Sequence, residues 1–192
     1  MAVMFPTMLP DDGSRRCSPP PPPRVGGYAV AVARAATPAI TALVTAGIDH
    51  EVVQYRHDAG NESFGAEAAT ELAAAGFVAE QIFKTLVIAL PKGLAVAVVP
   101  VPNKLSLKAA AAALGVPKAE MADPAAAQRS TGYIVGGISP LGQRKALPTV
   151  VDESALRFDT VLCSAGKRGW DVALAPADLI AATGAVTAEI SR

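Results

Sequence analysis

From residue 37 onward the chain alternates between two hydrophobic rhythms. Stretches with apolar positions every three or four residues predict helices. Between them lie runs of Val, Leu and Ile too short for a helix, bounded by Gly, Pro or Asn. Thr37 before Pro38 predicts a capped helix start, and Gly47 its stop. Apolar and polar residues alternate roughly over 48–55, which predicts a strand. Residues 64–75 predict a second helix, ended by Gly76. Residues 85–90 and 94–101, joined by Pro91-Lys92-Gly93, predict a hairpin. Asn103 or Ser106 caps a helix over 107–114, closed by Gly115, and Asp123-Pro124 opens a short one closed near Gly132. Strands are then expected over 133–135, 147–151, 160–164 and 171–174. Pro176 starts a last helix with Gly184 behind it, and 186–190 is a final strand. Hairpins mixed with helices predict an α+β or mixed-sheet α/β domain over 37–192, not a regular doubly wound sheet.

Residues 1–36 break the pattern. Pro19 to Pro23 favour the extended polyproline form, and no apolar period precedes Thr37. A disordered N-terminal extension outside the domain is the expectation. Pro6 and Pro10 interrupt the first apolar run, and Arg15-Arg16 leads into prolines, so neither export signal nor membrane span is expected. The expected compartment is the cytoplasm.

Composition narrows the function. Apolar residues make up 51% but aromatics only 5%, a bias that suits close-packed helices on a sheet. Formal net charge is zero, so any contact with nucleic acid must come from a local patch. Cys17 and Cys163 form no disulfide framework. Cys163, in an apolar run, reads as a buried free thiol. His50 and His57 stand without the Cys or acidic pattern of a metal site, and no metal or cofactor is expected.

Chemistry concentrates in three segments. The densest is 130–145, where Gly136-Gly137 and Gly142 flank Ile138-Ser139-Pro140-Leu141 and Arg144-Lys145 follow. Such a loop can bring backbone N–H groups close to an anion or a carbonyl oxygen, because no Cβ intervenes. Phe83-Lys84-Thr85 lies upstream, and Ser164-Ala165-Gly166-Lys167-Arg168-Gly169 downstream. In this order the three segments resemble the YbaK/EbsC family of aminoacyl-tRNA deacylases, relatives of the editing domain of bacterial prolyl-tRNA synthetases. Thr37-Pro38-Ala39-Ile40, Tyr55, Phe64-Gly65 and Glu120-Met121-Ala122-Asp123 extend the likeness from Thr37 to near the C-terminus.

The resemblance implies a twisted, largely closed mixed sheet with helices outside, and a site for the aminoacyl ester of the terminal adenosine of tRNA. Lys84 is the family's signature residue. A lysine at a strand end is ordinarily a solvated cap. At this site its ammonium would bind a phosphate or offset charge growing on the ester carbonyl. Gly136 and Gly137 would donate backbone N–H groups to the ester. Asp171 aligns with an acid that holds the α-ammonium, and on its own reads equally as a charge at a strand start. Tyr55 and Ser164 align with pocket hydroxyls. The family has two glycines after that serine; here the first is Ala165, which displaces the loop. Gly166, Lys167 and Arg168 are expected to meet substrate, the two cations through phosphate.

No protein nucleophile presents itself. Gly-x-Ser-x-Gly is absent, and a phosphate-binding loop ending at Gly166-Lys167 fails at Val161 and Arg168. Family members acting on cysteinyl-tRNA let the substrate's own thiol attack, which leaves position and charge to the enzyme. The expected activity is therefore trans-editing of Cys-tRNA(Pro), with prolyl-tRNA synthetase as a partner that holds the tRNA. Clearance of alanine or another small residue, and a non-catalytic tRNA- or synthetase-binding module, are the alternatives. The sequence leaves oligomeric state open.

Overall fold

The computed structural model describes residues 37–58 and 64–192. The proline-rich extension expected over 1–36 lies outside them. Among the described residues five α-helices surround one mixed eight-stranded sheet. In chain order these are α1 (Pro38–Ala46), β1 (His50–Gln54), α2 (Phe64–Ala73), β2 (Ile82–Ala89), β3 (Leu94–Pro100), α3 (Leu107–Ala113), β4 (Glu120–Met121), α4 (Pro124–Thr131), β5 (Thr149–Asp152), β6 (Val161–Lys167), β7 (Trp170–Leu174), α5 (Pro176–Thr183) and β8 (Val186–Ala188).

Local chemistry sets the helix ends as expected. Thr37 caps α1 by accepting from the Ile40 N–H, and Gly47 ends it in the left-handed region. Of the two candidate caps for α3, Ser106 is the one used, accepting from the Ala109 N–H. Asp123 caps α4, with Pro124 in its first turn.

Two expectations fail. Residues 133–135 form no strand, because the Gly136 backbone turns there with φ 86°. And β2 starts at Ile82, three residues before the expected 85, so Lys84 sits inside the strand opposite Val99.

Strand order is β1-β7-β6-β2-β3-β5-β8, with β4 attached to β2. The β2–β3 hairpin pairs along its whole length. On its other side β2 is paired only at its ends, by β6 at Ile82 and Phe83 and by β4 at Ile88 and Ala89. The sheet is therefore split beside Lys84, Thr85 and Leu86.

The alternation of side chains builds different cores on the two faces. Phe83 and Val87 join the main core with α1, Ala127 of α4 and Cys163. Ile82 joins Ala68 and Leu72 of α2, Leu162 and Ala173 on the other face. Cys163 is free and fully buried, which pushes its thiol far above the usual range. Among the described residues no helix is long and apolar enough to cross a membrane.

Candidate active site

A cavity of about 680 Å³ opens where the sheet splits. Of the polar side chains that line it, Asp171, Ser164 and Lys84 come from the adjacent strands β7, β6 and β2, and Tyr55 directly follows β1. Val53 pairs with Asp171, Asp171 with Ser164, and Leu162 with Ile82. A two-residue step keeps a side chain on the same face. Tyr55, Asp171, Ser164 and Lys84 therefore form one row from the end of β1 across β7, β6 and β2, on the face that α2 covers.

Among the described residues, Lys84 is the only cation lining the cavity and Asp171 its only carboxylate. The Lys84 Nζ donates to the carbonyls of Val101 at 3.0 Å and Asn103 at 2.6 Å. An ammonium has three donors, so one remains. Burial lowers the Lys84 pKa from its ordinary value. Among the described residues no carboxylate pairs with it. It is not the strand-end cap that periodicity suggests but an anchored charge within β2.

Asp171 is 4% exposed, and burial pushes its carboxyl up to about 7. Among the described residues no donor reaches its oxygens. A buried carboxylate without a partner is costly, and a cationic ligand offsets that cost. Burial, with the nearby charges of Asp171 and Glu67, pushes the Tyr55 phenol well above its usual range.

The glycine loop supplies the opposite wall. The Gly137 N–H donates to the Ile134 carbonyl at 3.0 Å, which closes a turn with Gly136 at its third position. That position needs the positive φ that Gly136 has, and an added Cβ there would lie 2.8 Å from the Phe64 ring. Arg168 grips the next peptide. Its Nε and Nη2 donate to the Val135 carbonyl at 3.1 and 2.8 Å, and its guanidinium lies 4.6 Å from the Phe64 ring centre. In a trans peptide C=O and N–H point in opposite directions. Holding the Val135 carbonyl therefore aims the Gly136 N–H the other way, and among the described residues no acceptor takes it.

The structure thus brings together Tyr55, Lys84, Gly136, Ser164 and Asp171. Gly137, Gly166, Lys167 and Arg168 do not line the cavity. The donor role expected of Gly137 is corrected, since its N–H is spent within the turn. Gly166 gives room to the Tyr133 ring, 2.5 Å from where its Cβ would stand. Lys167 lies over Trp170 at 4.6 Å, and Arg168 is a brace of the glycine loop before it is a phosphate ligand. Sequence reasoning misses Thr85 as a wall residue, though the Phe83-Lys84-Thr85 step contains it. Its buried hydroxyl has no partner among the described residues.

Comparison with known proteins identifies the family and the fold. Residues 64–182 match the model of the aminoacyl-tRNA editing domain. A protein of Enterococcus faecalis (strain ATCC 700802 / V583), provisionally named Cys-tRNA(Pro)/Cys-tRNA(Cys) deacylase EbsC, is 38% identical over 139 residues, 72% of this chain and 84% of that protein. A crystal structure described provisionally as a trans-editing enzyme for prolyl-tRNA synthetase superposes with a TM-score of 0.71 at 29% identity, over 81% of this chain and 95% of that one. The hypothetical protein APE2540 superposes equally well, at 0.71 and 25% identity, over 81% of this chain and all of the other. With its editing-domain match and its relative's coverage, the chain belongs to the YbaK/EbsC family of aminoacyl-tRNA editing proteins.

Proposed function

We propose that the protein is a trans-editing deacylase that removes cysteine from tRNA for proline. One observation supports this above others. Among the described residues the cavity holds a carboxylate, an ammonium and a free backbone N–H, but no histidine, no cysteine and no base hydrogen-bonded to its one serine, although the Asp171 carboxyl lies on the neighbouring strand. The Ser164 hydroxyl accepts from the Gly166 N–H and lacks an activating partner among those residues. Cys163 is buried in the core and held as a neutral thiol. Such a site suits a substrate that brings its own nucleophile.

Asp171 would hold the α-ammonium of the aminoacyl group. Gly136 N–H would meet the ester oxygen, where negative charge grows, and Lys84 would stabilise that charge or anchor the acceptor end. The substrate's sulfur attacks the carbonyl carbon and the C–O bond to the ribose breaks. The thiol proton ends on the ribose oxygen, and water opens the thiolactone that leaves. Alignment of thiol and ester contributes on the order of 7–11 kcal/mol in the most favourable intramolecular cases.

The chain has zero net charge, so its own hold on tRNA is local and modest. Prolyl-tRNA synthetase is the proposed partner that presents the charged tRNA. Deacylation of Cys-, Ala-, Ser- and Pro-charged tRNA for proline, with Cys-charged tRNA for cysteine, tests the reading. Cys-tRNA(Pro) is expected to be cleared fastest and Ser-tRNA(Pro) far more slowly. Equal rates on the two would remove the substrate thiol from the mechanism, and faster clearance of Ala-tRNA(Pro) would reassign the specificity.

A further inference from the structure

The cavity has two lobes on opposite faces of the sheet. On the α2 face Ala68, Ala69, Ile82 and Val101 adjoin Tyr55. On the other face Ala122, Ala127 and Ile138 adjoin Val87, with Met121 at the rim. The lobes communicate through the split in the sheet, at Thr85.

This split has a defined chemistry. The Ile82 carbonyl accepts from the Val101 N–H on the β3 side, and the Val87 carbonyl from the Ala122 N–H on the other. Backbone groups of alternate residues point to alternate sides of a strand. Thr85 therefore directs its N–H and C=O into the gap between β6 and β4. Its buried hydroxyl adds a polar atom without a partner among the described residues.

A small aminoacyl group fills only a fraction of about 680 Å³. Its ammonium and its side chain share one carbon, so both must lie at the Asp171 end, in the α2-face lobe. What the ester links to that group must occupy the rest. We propose that the second lobe, between β4, α4 and Ile138, seats the adenine of the terminal nucleotide, with Thr85 reading its polar edge. Adenine presents a ring acceptor beside an amino donor. An N–H and a C=O on one strand edge complement that pair, and the apolar walls cover the ring faces. This rests on the deacylase reading above and names the second half of its substrate.

The test uses the full chain and two non-hydrolysable probes. One is cysteine joined by an amide to 3′-amino-3′-deoxyadenosine. The other is the same compound with the base removed. Calorimetry is expected to show the adenosine compound binding at least about tenfold tighter. Ala122→Leu, which fills the lobe from a half-buried position, should erase most of that advantage and leave the base-less compound within about twofold. Met121→Asp at the 53% exposed rim is a second variant with little risk to folding, and should weaken only the adenosine compound. A hypoxanthine analogue, which replaces the amino donor with an acceptor, should bind severalfold more weakly. Equal affinity for the adenosine and base-less probes, in a protein that still deacylates Cys-tRNA(Pro), overturns the adenine seat alone. Failure to bind either probe together with failure to deacylate any charged tRNA overturns the functional reading as well.

Discussion

Asp171 stands directly opposite Ser164 across the β6–β7 ladder, and Lys84 of β2 continues that row just past the last β2–β6 pair, Phe83 with Cys163. The order of strands in the sheet thus gathers three residues that are scattered along the chain. The charge-bearing ends of the row are held differently: two backbone carbonyls fix Lys84, while burial alone surrounds Asp171. Each predicts a distinct response to substitution.

Lys84→Ala should cost at least about a hundredfold in deacylation rate, the scale for loss of one positioned electrostatic donor. It should also cost roughly 1–2 kcal/mol of stability, because the Val101 and Asn103 carbonyls lose a charged donor. Lys84→Arg should recover little, since a planar fork does not replace a compact ammonium between two fixed carbonyls. Single-turnover kinetics beside urea melts separate the two effects. Near-normal turnover in Lys84→Ala would remove the lysine from the chemistry.

Arg168 and Lys167 are neighbours with separable roles. Lys167→Glu should weaken tRNA binding and flatten its salt dependence by about one unit, if that side chain meets one phosphate. Arg168→Ala should leave the salt slope nearly unchanged and slow the chemical step, because it frees the Val135 carbonyl and with it the direction of the Gly136 N–H. Binding titrations at several salt concentrations, with single-turnover rates, distinguish them. A salt slope reduced equally in both variants would return Arg168 to the RNA surface.

Thr37 ties α1 into the domain. Its hydroxyl caps α1 and also donates to the Ala165 carbonyl on β6, tying the helix to the site-bearing strand. We propose that residues 1–36 are dispensable for the domain. A chain beginning at Ala36 should melt and deacylate like the full chain. One beginning at Ala39 should lose about 1 kcal/mol from the missing cap alone. Equal melting of the two shortened chains would show that the cap contributes nothing.

Much of this site is legible in the amino-acid sequence. The Thr37-Pro38, Ser106 and Asp123-Pro124 caps act through their own local backbone, so sequence alone locates those helices. Lys84, Gly136 and Asp171 are visible through motif order. The start of β2 is not, because Ile82 and Phe83 sit behind a 3-10 turn at Ala79–Gln81 and gain their strand character from pairing with β6. The Tyr133–Val135 run reads as a strand by propensity, but the Gly136–Phe64 contact and the Arg168 grip make it a turn. Both are tertiary contacts, from residues far along the chain. The same grip is hidden from the sequence, where Arg168 beside a glycine loop reads only as a phosphate ligand.

Asp171 gives the clearest dependence on pH. Burial raises its folded-state carboxyl to about 7, against an ordinary value near 3.9. Only the ionised form can hold an ammonium, so kcat/KM should rise with pH through about 7. Asp171→Asn should lose most activity and that inflection together. Stability runs the opposite way. Between about 4 and 7 the folded state binds more protons at this site than the unfolded state, so stability falls as pH rises. Above 7 the folded protein carries a buried, unpartnered charge. Asp171→Asn should therefore be more stable than the parent at pH 8, by roughly 1–3 kcal/mol, with the difference shrinking towards pH 4. Urea melts at the two pH values check the sign, and pH–rate profiles check the inflection. A parent protein whose stability is flat from pH 4 to 8, or an Asn variant that keeps both activity and inflection, would show that Asp171 is neither perturbed nor in contact with substrate.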